Sequence, residues 1–181
     1  PDAPEHAAVV SLHTLSRGGR YVSVGPFCSG TLITEDVVLT AAHCLAGTSA
    51  TKVAVYVGDE PAEDLVSHLY AVSEVLVHPA YNSSTIRNDV ALMRLATPVT
   101  EAVTPVPALP ASEGLTSADL GATVNFAGFG TTESGTSGVK LQVDGTIDAA
   151  GCGVPGCPSP GDTATQFSYS QPSSGPCFGD S

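Results

Sequence analysis

Val38-Leu39-Thr40-Ala41-Ala42-His43-Cys44 opens with apolar and β-branched residues that suit a strand and closes with an imidazole beside a sulfur. This order places His43 just past a strand end, with Cys44 available to pin the turn through a disulfide. A single histidine is most often a surface group or a satisfied core residue, so its meaning depends on the flanking chain. Outward from it, Tyr21 to Leu95 reads as short β-branched and aromatic runs, among them Val22–Val24, Val37–Thr40, Tyr70–Val77 and Val90–Leu95. Val53, Val55 and Val57 alternate with Lys52, Ala54 and Tyr56, the period of two of a strand with one face on a core. Runs about ten residues apart, separated by Gly, Pro, Asn and Asp, predict an all-β barrel or sandwich.

Thr97–Pro110 carries Pro98, Pro105, Pro107 and Pro110, residues that lack an amide donor and resist both helix and central strand. A second β set follows at Thr123–Phe129, Lys140–Ile147 and Thr165–Ser170. The expected organisation is a first β lobe over residues 1–104, a Pro-rich connection over 105–115 and a partial second lobe over 116–181. The best helical candidate, Ser117–Leu120, is too short to matter.

The chain's 181 residues, 42% of them hydrophobic, suffice for a core. Charged residues make up only 13%, and 19 Gly with 14 Pro favour turns over long helices. Six Lys and Arg against 18 Asp and Glu give a net charge of −12, which repels phosphate backbones and anionic lipid. Nucleic acid is therefore excluded as an expected partner. So is a membrane, since no apolar run approaches the roughly 20 residues that span a bilayer. The chain begins at Pro1, so an initiating Met or signal segment is expected to have been removed. Cys28, Cys44, Cys152, Cys157 and Cys177 lack zinc-site spacing and read as disulfide cysteines of an oxidising compartment. The odd count leaves one sulfur whose partner is expected elsewhere.

Two further stretches bear on His43. Asn88-Asp89-Val90-Ala91-Leu92 puts a carboxylate at the mouth of an apolar strand, and Cys177-Phe178-Gly179-Asp180-Ser181 sets a serine after a Gly-Asp pair. Each alone is an ordinary turn. In combination they supply a poor nucleophile, a base of near-neutral pKa and a carboxylate to fix the base's tautomer. The chain order His, Asp, Ser differs from the Ser, Asp, His order of α/β-hydrolases, and neither G-x-S-x-G nor H-E-x-x-H occurs.

With these motifs the chain resembles the trypsin/chymotrypsin-type serine proteases. The matching stretches also include Val10-Ser11-Leu12, Phe27-Cys28-Ser29-Gly30-Thr31-Leu32-Ile33, Val77-His78-Pro79-Ala80-Tyr81-Asn82 and Gly128-Phe129-Gly130-Thr131-Thr132, in family order over almost the whole chain. The resemblance implies two Greek-key β-barrels, the second incomplete. It implies His43 as general base, Asp89 as its orienting carboxylate and Ser181 as nucleophile, with the amides of Gly179 and Ser181 as oxyanion donors. It places Gly175 at the floor of the substrate pocket. It pairs Cys28 with Cys44 and gives Cys177 a partner beyond the nucleophile, while Cys152 and Cys157 are left to close a loop on each other.

The implied protein is a secreted serine endopeptidase made as a zymogen, without cofactor or metal, whose partners are protein or peptide substrates and protein protease inhibitors. The alternative is a protease homologue that binds without catalysis. Three departures from the family stand out. The Gly-Gly-Pro that follows the family's nucleophile is not in the chain, the Ile-Val-Gly-Gly type N-terminus is not present, and Phe129 replaces the usual Trp. The first two lead to the expectation of an inactive fragment truncated at both ends. Asp59, Glu60, Glu63, Asp64 and Glu74 fall near a loop where some family members bind calcium, and read more simply as a solvated face. His6, His13, His68 and His78 lack metal-ligand spacing.

Overall fold

β-Branched runs and glycine-rich turns dictate strands, and ten are present in the computed structural model, which describes residues 6–16, 21–23, 25–61, 65–132, 134–150 and 167–170. The first seven are β1 (Val9–Ser16), β2 (Tyr21–Val22), β3 (Cys28–Leu32), β4 (Val37–Thr40), β5 (Val53–Tyr56), β6 (Leu69–Val77) and β7 (Ala91–Leu95). All their pairings are antiparallel, in the order β2-β1-β3-β4-β7-β6-β5. Because β1 also pairs with β5, in the register Ser11↔Tyr56 and Thr14↔Val53, six of these strands close into a barrel. Closure removes the sheet edges that an open sheet would leave unpaired.

Val10, Leu12, Leu32, Val38, Val53, Val55, Met93 and Leu95 fill the barrel. Each such side chain withdrawn from water contributes about 1.5–3 kcal/mol. The alternation expected for β5 departs from the sequence pattern, since Val53, Ala54, Val55 and Tyr56 are all buried. The reason lies on the barrel's outer face. The Tyr56 ring meets His13 edge-on at 6.1 Å and His68 at 6.3 Å, while Ser11 and His13 on β1 are fully buried beside it. Both polar groups are satisfied: His13 Nδ1 donates to the Ser23 carbonyl at 2.7 Å, so Nε2 accepts from Ser11 Oγ at 2.9 Å.

The second sheet has the order β10-β9-β8, from β8 (Thr123–Gly128), β9 (Leu141–Ala150) and β10 (Phe167–Ser170). Phe126 and Tyr169 pack across it with ring centroids 4.5 Å apart and planes tilted by 43°. The turn at Ser117–Asp119 is a single 3₁₀ turn with a reciprocal cap: Thr116 Oγ1 accepts from Ala118 N–H, and Asp119 accepts from Thr116 N–H. The chain divides into two compact units. Among the described residues, one takes those up to 107 together with 127–141, and the other takes 108–126 together with 142–150 and 167–170. The fold is mostly β, a closed six-stranded barrel plus an incomplete second sheet, as expected for the chymotrypsin type.

Candidate active site

β4 ends at Thr40, Ala41 remains extended, and Ala42–Leu45 forms one helical turn, α1. Ala42 and Leu45, three residues apart and so on one helix face, are fully buried. That leaves the His43 side chain 47% exposed. Cys44 is disulfide-bonded to Cys28 on β3, with a Cα–Cα distance of 6.3 Å, which fixes the turn to the barrel wall.

Asp89 reaches the same place from the neighbouring strand. Thr40 of β4 pairs with Ala91 of β7, and in an antiparallel pair the residues just past one and just before the other share an end of the ladder. Asn88 precedes Asp89 in the left-handed region at φ 54°, a conformation Asn tolerates, and donates from Nδ2 to the Ala80 carbonyl. Ile86 shares this conformation at φ 51°, which for a β-branched side chain is strained.

Both oxygens of Asp89 accept from one residue. The His43 backbone N–H donates to Oδ1 and the ring Nδ1–H to Oδ2, each at 2.7 Å. With the proton on Nδ1, Nε2 of the neutral ring carries the lone pair. Asp89 is the less exposed partner, with a side chain 17% accessible. Its charge reaches Tyr81, whose phenol is held above its ordinary pKa by burial first and by Asp89 second. Beside Asp89 lies a cavity of about 290 Å³ lined by Ser29, Gly30, Thr40, Ala41, Val90 and Ala127, among others.

The structure thus brings His43 and Asp89 together and joins Cys28 to Cys44. Ser181, Gly179, Gly175, Cys152, Cys157 and Cys177 lie outside the described residues. The sulfurs of Cys28 and Cys44 and a ring nitrogen of His43 lie within 4.8 Å of one another, but disulfide sulfurs offer no thiolate to a metal. Of the clustered acids, Asp59 pairs with Lys140 Nζ at 2.8 Å and Glu74 lies 3.9 Å from Arg94 Nε. Glu63 and Asp64 are outside the described residues.

Sequence reasoning overlooked two clusters. His68 Nδ1 bonds Glu101 Oε1 at 2.9 Å, and Tyr70 donates its hydroxyl to the same carboxylate. Burial pushes the Glu101 carboxyl up, and the bonds from Tyr70 and His68 outweigh it, leaving the group below its ordinary value. Lys140, 4% exposed at its side chain, is the other. Among the described residues no helix is long and apolar enough to cross a membrane.

A closed β-barrel with a carboxylate-anchored histidine at a strand end has the architecture of one half of a serine protease. The trypsin family model matches residues 3–181, and the chain belongs to the trypsin-type serine protease family. It is 43% identical over 75 residues to a trypsin of Sarcophaga bullata, covering 41% of this chain and 29% of that one. It is 46% identical over 70 residues to chymotrypsin-C of Bos taurus, covering 38% and 26%. With brachyurin of Leptuca pugilator it shares 35% over 123 residues, covering 65% and 52%. The solved structure of the VesB protease of Vibrio cholerae superposes with a TM-score of 0.68 at 23% identity, covering 83% of this chain and 44% of that chain; this likeness is one of fold. The matched regions span between about a quarter and about half the length of these relatives.

Proposed function

We propose that the whole protein is a secreted serine endopeptidase in which His43, Asp89 and Ser181 form the catalytic triad. The observation that carries this reading is the double hydrogen bond from His43 to Asp89, which fixes the ring's orientation and leaves Nε2 basic. Ser181 Oγ gives its proton to Nε2 as it attacks the scissile carbonyl. The tetrahedral intermediate collapses when His43 protonates the leaving amine, and water then hydrolyses the acyl-enzyme by the same base. Backbone amides of Gly179 and Ser181 receive the developing oxyanion, each such donor being worth about 10²–10³ in rate. Substrates are proteins or peptides, and protein protease inhibitors compete for the same site. The Cys28–Cys44 disulfide suits action in an oxidising, extracellular compartment.

A serine-directed phosphonate tests the assignment. It should label the activated whole protein at Ser181, and Ser181→Ala should abolish both labelling and peptide hydrolysis. Peptide hydrolysis undiminished in Ser181→Ala overturns the mechanism.

A further inference from the structure

Residues 127–141 lie in the second half of the sequence, yet they belong to the compact unit of the first barrel. The contacts that hold this arm form a chain. At its start, Ala127 lines the cavity beside Asp89. Phe129, 1% exposed, donates its N–H to Ser29 Oγ on β3 at 2.9 Å. The Phe129 carbonyl accepts from Gly138 N–H, and its ring lies 5.6 Å from the ammonium of Lys140. At the arm's far end, Lys140 N–H donates to the Asp59 carbonyl at 2.9 Å, while its Nζ meets Asp59 Oδ1 at 2.8 Å.

The Lys140 ammonium is the unexpected member. Burying such a charge is unfavourable by several kcal/mol unless it is paired, and an apolar side chain of equal length would fill the same space without that penalty. Here the charge meets one carboxylate and one aromatic face, both attractive to a cation. Glu60, Glu101 and His68 line the adjoining cavity of about 490 Å³. The ammonium therefore has a favourable position only while Phe129 and Asp59 are both seated, which makes the ion pair a fastener for the whole arm.

We propose that Lys140 and Asp59 are positioning residues. Their ion pair seats Phe129 on Ser29 and thereby holds Ala127 as a wall of the cavity beside the Asp89–His43 pair. The inference rests on the endopeptidase reading for its effect on rate, while the seating itself does not depend on that reading.

The test uses the whole protein with Asp59→Asn, Lys140→Met and Lys140→Arg, none of which touches the proposed triad. Amide exchange at Phe129 reports the seating, and kcat and KM on a small peptide amide report its consequence. Asp59→Asn and Lys140→Met should speed Phe129 exchange by about tenfold or more. They should also lower kcat, by up to about 10²-fold, through misplacement of groups remote from the chemistry, with KM nearly unchanged. Lys140→Arg, which keeps the charge, should restore both. Unchanged exchange overturns the fastener. Faster exchange with unchanged kcat overturns the positioning role. If the unaltered protein hydrolyses nothing, the endopeptidase reading fails, and exchange still decides the fastener.

Discussion

His43 and Asp89 are joined twice, once through the backbone and once through the ring, with both hydrogen bonds 2.7 Å long. The backbone bond locks the carboxylate in place, and the ring bond then dictates which nitrogen holds the proton. Asp89→Asn retains an oxygen for only one of the two donors. An amide oxygen facing the backbone N–H turns its NH₂ toward Nδ1, which forces the proton to Nε2. In the whole protein kcat should fall by about 10⁴ with little change in KM. Steady-state kinetics on a peptide amide measure this, and a loss below tenfold contradicts the assigned base.

Substrate preference should follow from Gly175, the residue that the family resemblance implies at the pocket floor. A residue without a side chain gives a buried cation no counter-charge, at a penalty of several kcal/mol, whereas an apolar side chain gains about 25 cal/mol per Å² from burial. Matched Phe, Leu, Ala and Arg amides should show kcat/KM higher for Phe or Leu than for Arg. A preference for Arg contradicts the prediction.

Acid should destabilise the barrel in two windows. Burial first, opposed by the bond to the Ser23 carbonyl, holds His13 below the ordinary imidazole value of 6.5. The unfolded chain therefore binds a proton that the folded chain refuses. This stability is fully present above 6.5 and is lost as pH falls toward the folded value. Glu101, also held low, adds a second loss below its ordinary 4.5. Melting temperature against pH should show both, and His13→Gln should flatten the slope just below 6.5. An unchanged slope in that variant rules out His13 as its source.

Ile86 carries a local penalty of about 1–2 kcal/mol for its left-handed backbone. Because its side chain is about half exposed, Ile86→Asn should raise stability by about 1 kcal/mol. Denaturant unfolding would reveal the gain, and a destabilised variant would mean that the side chain's contacts outweigh the backbone strain.

How legible the fold was depended on what each strand buries. β4, β6 and β7 announce themselves through β-branched runs. β1 and β3 are harder to see as strands from residue type alone, because Ser11, His13 and Ser29 look like solvent-facing residues. They are buried because Ser11 and His13 satisfy each other and Ser29 accepts the Phe129 amide. Gly30 looks like a strand breaker, yet a Cβ there would lie 2.7 Å from Val38 Cγ1, so the close approach of β3 and β4 requires it. His43 and Asp89 were readable from their motifs. Lys140 was not, because a buried lysine and an exposed one look alike in sequence until the opposing carboxylate and ring are in place.

The β4–β7 ladder has a consequence for the order of events as the chain folds. β4 finds its second neighbour only after β5 and β6 have been made, since β7 is the last barrel strand in the sequence. Pairing Thr40 with Ala91 closes a long loop, the kind of step that slows folding, and the same step brings Asp89 to His43. The histidine therefore acquires its carboxylate only when the barrel shuts. Its ring resonances become a clock for closure, and a nascent chain released before Leu95 has a barrel with a missing stave and no paired imidazole.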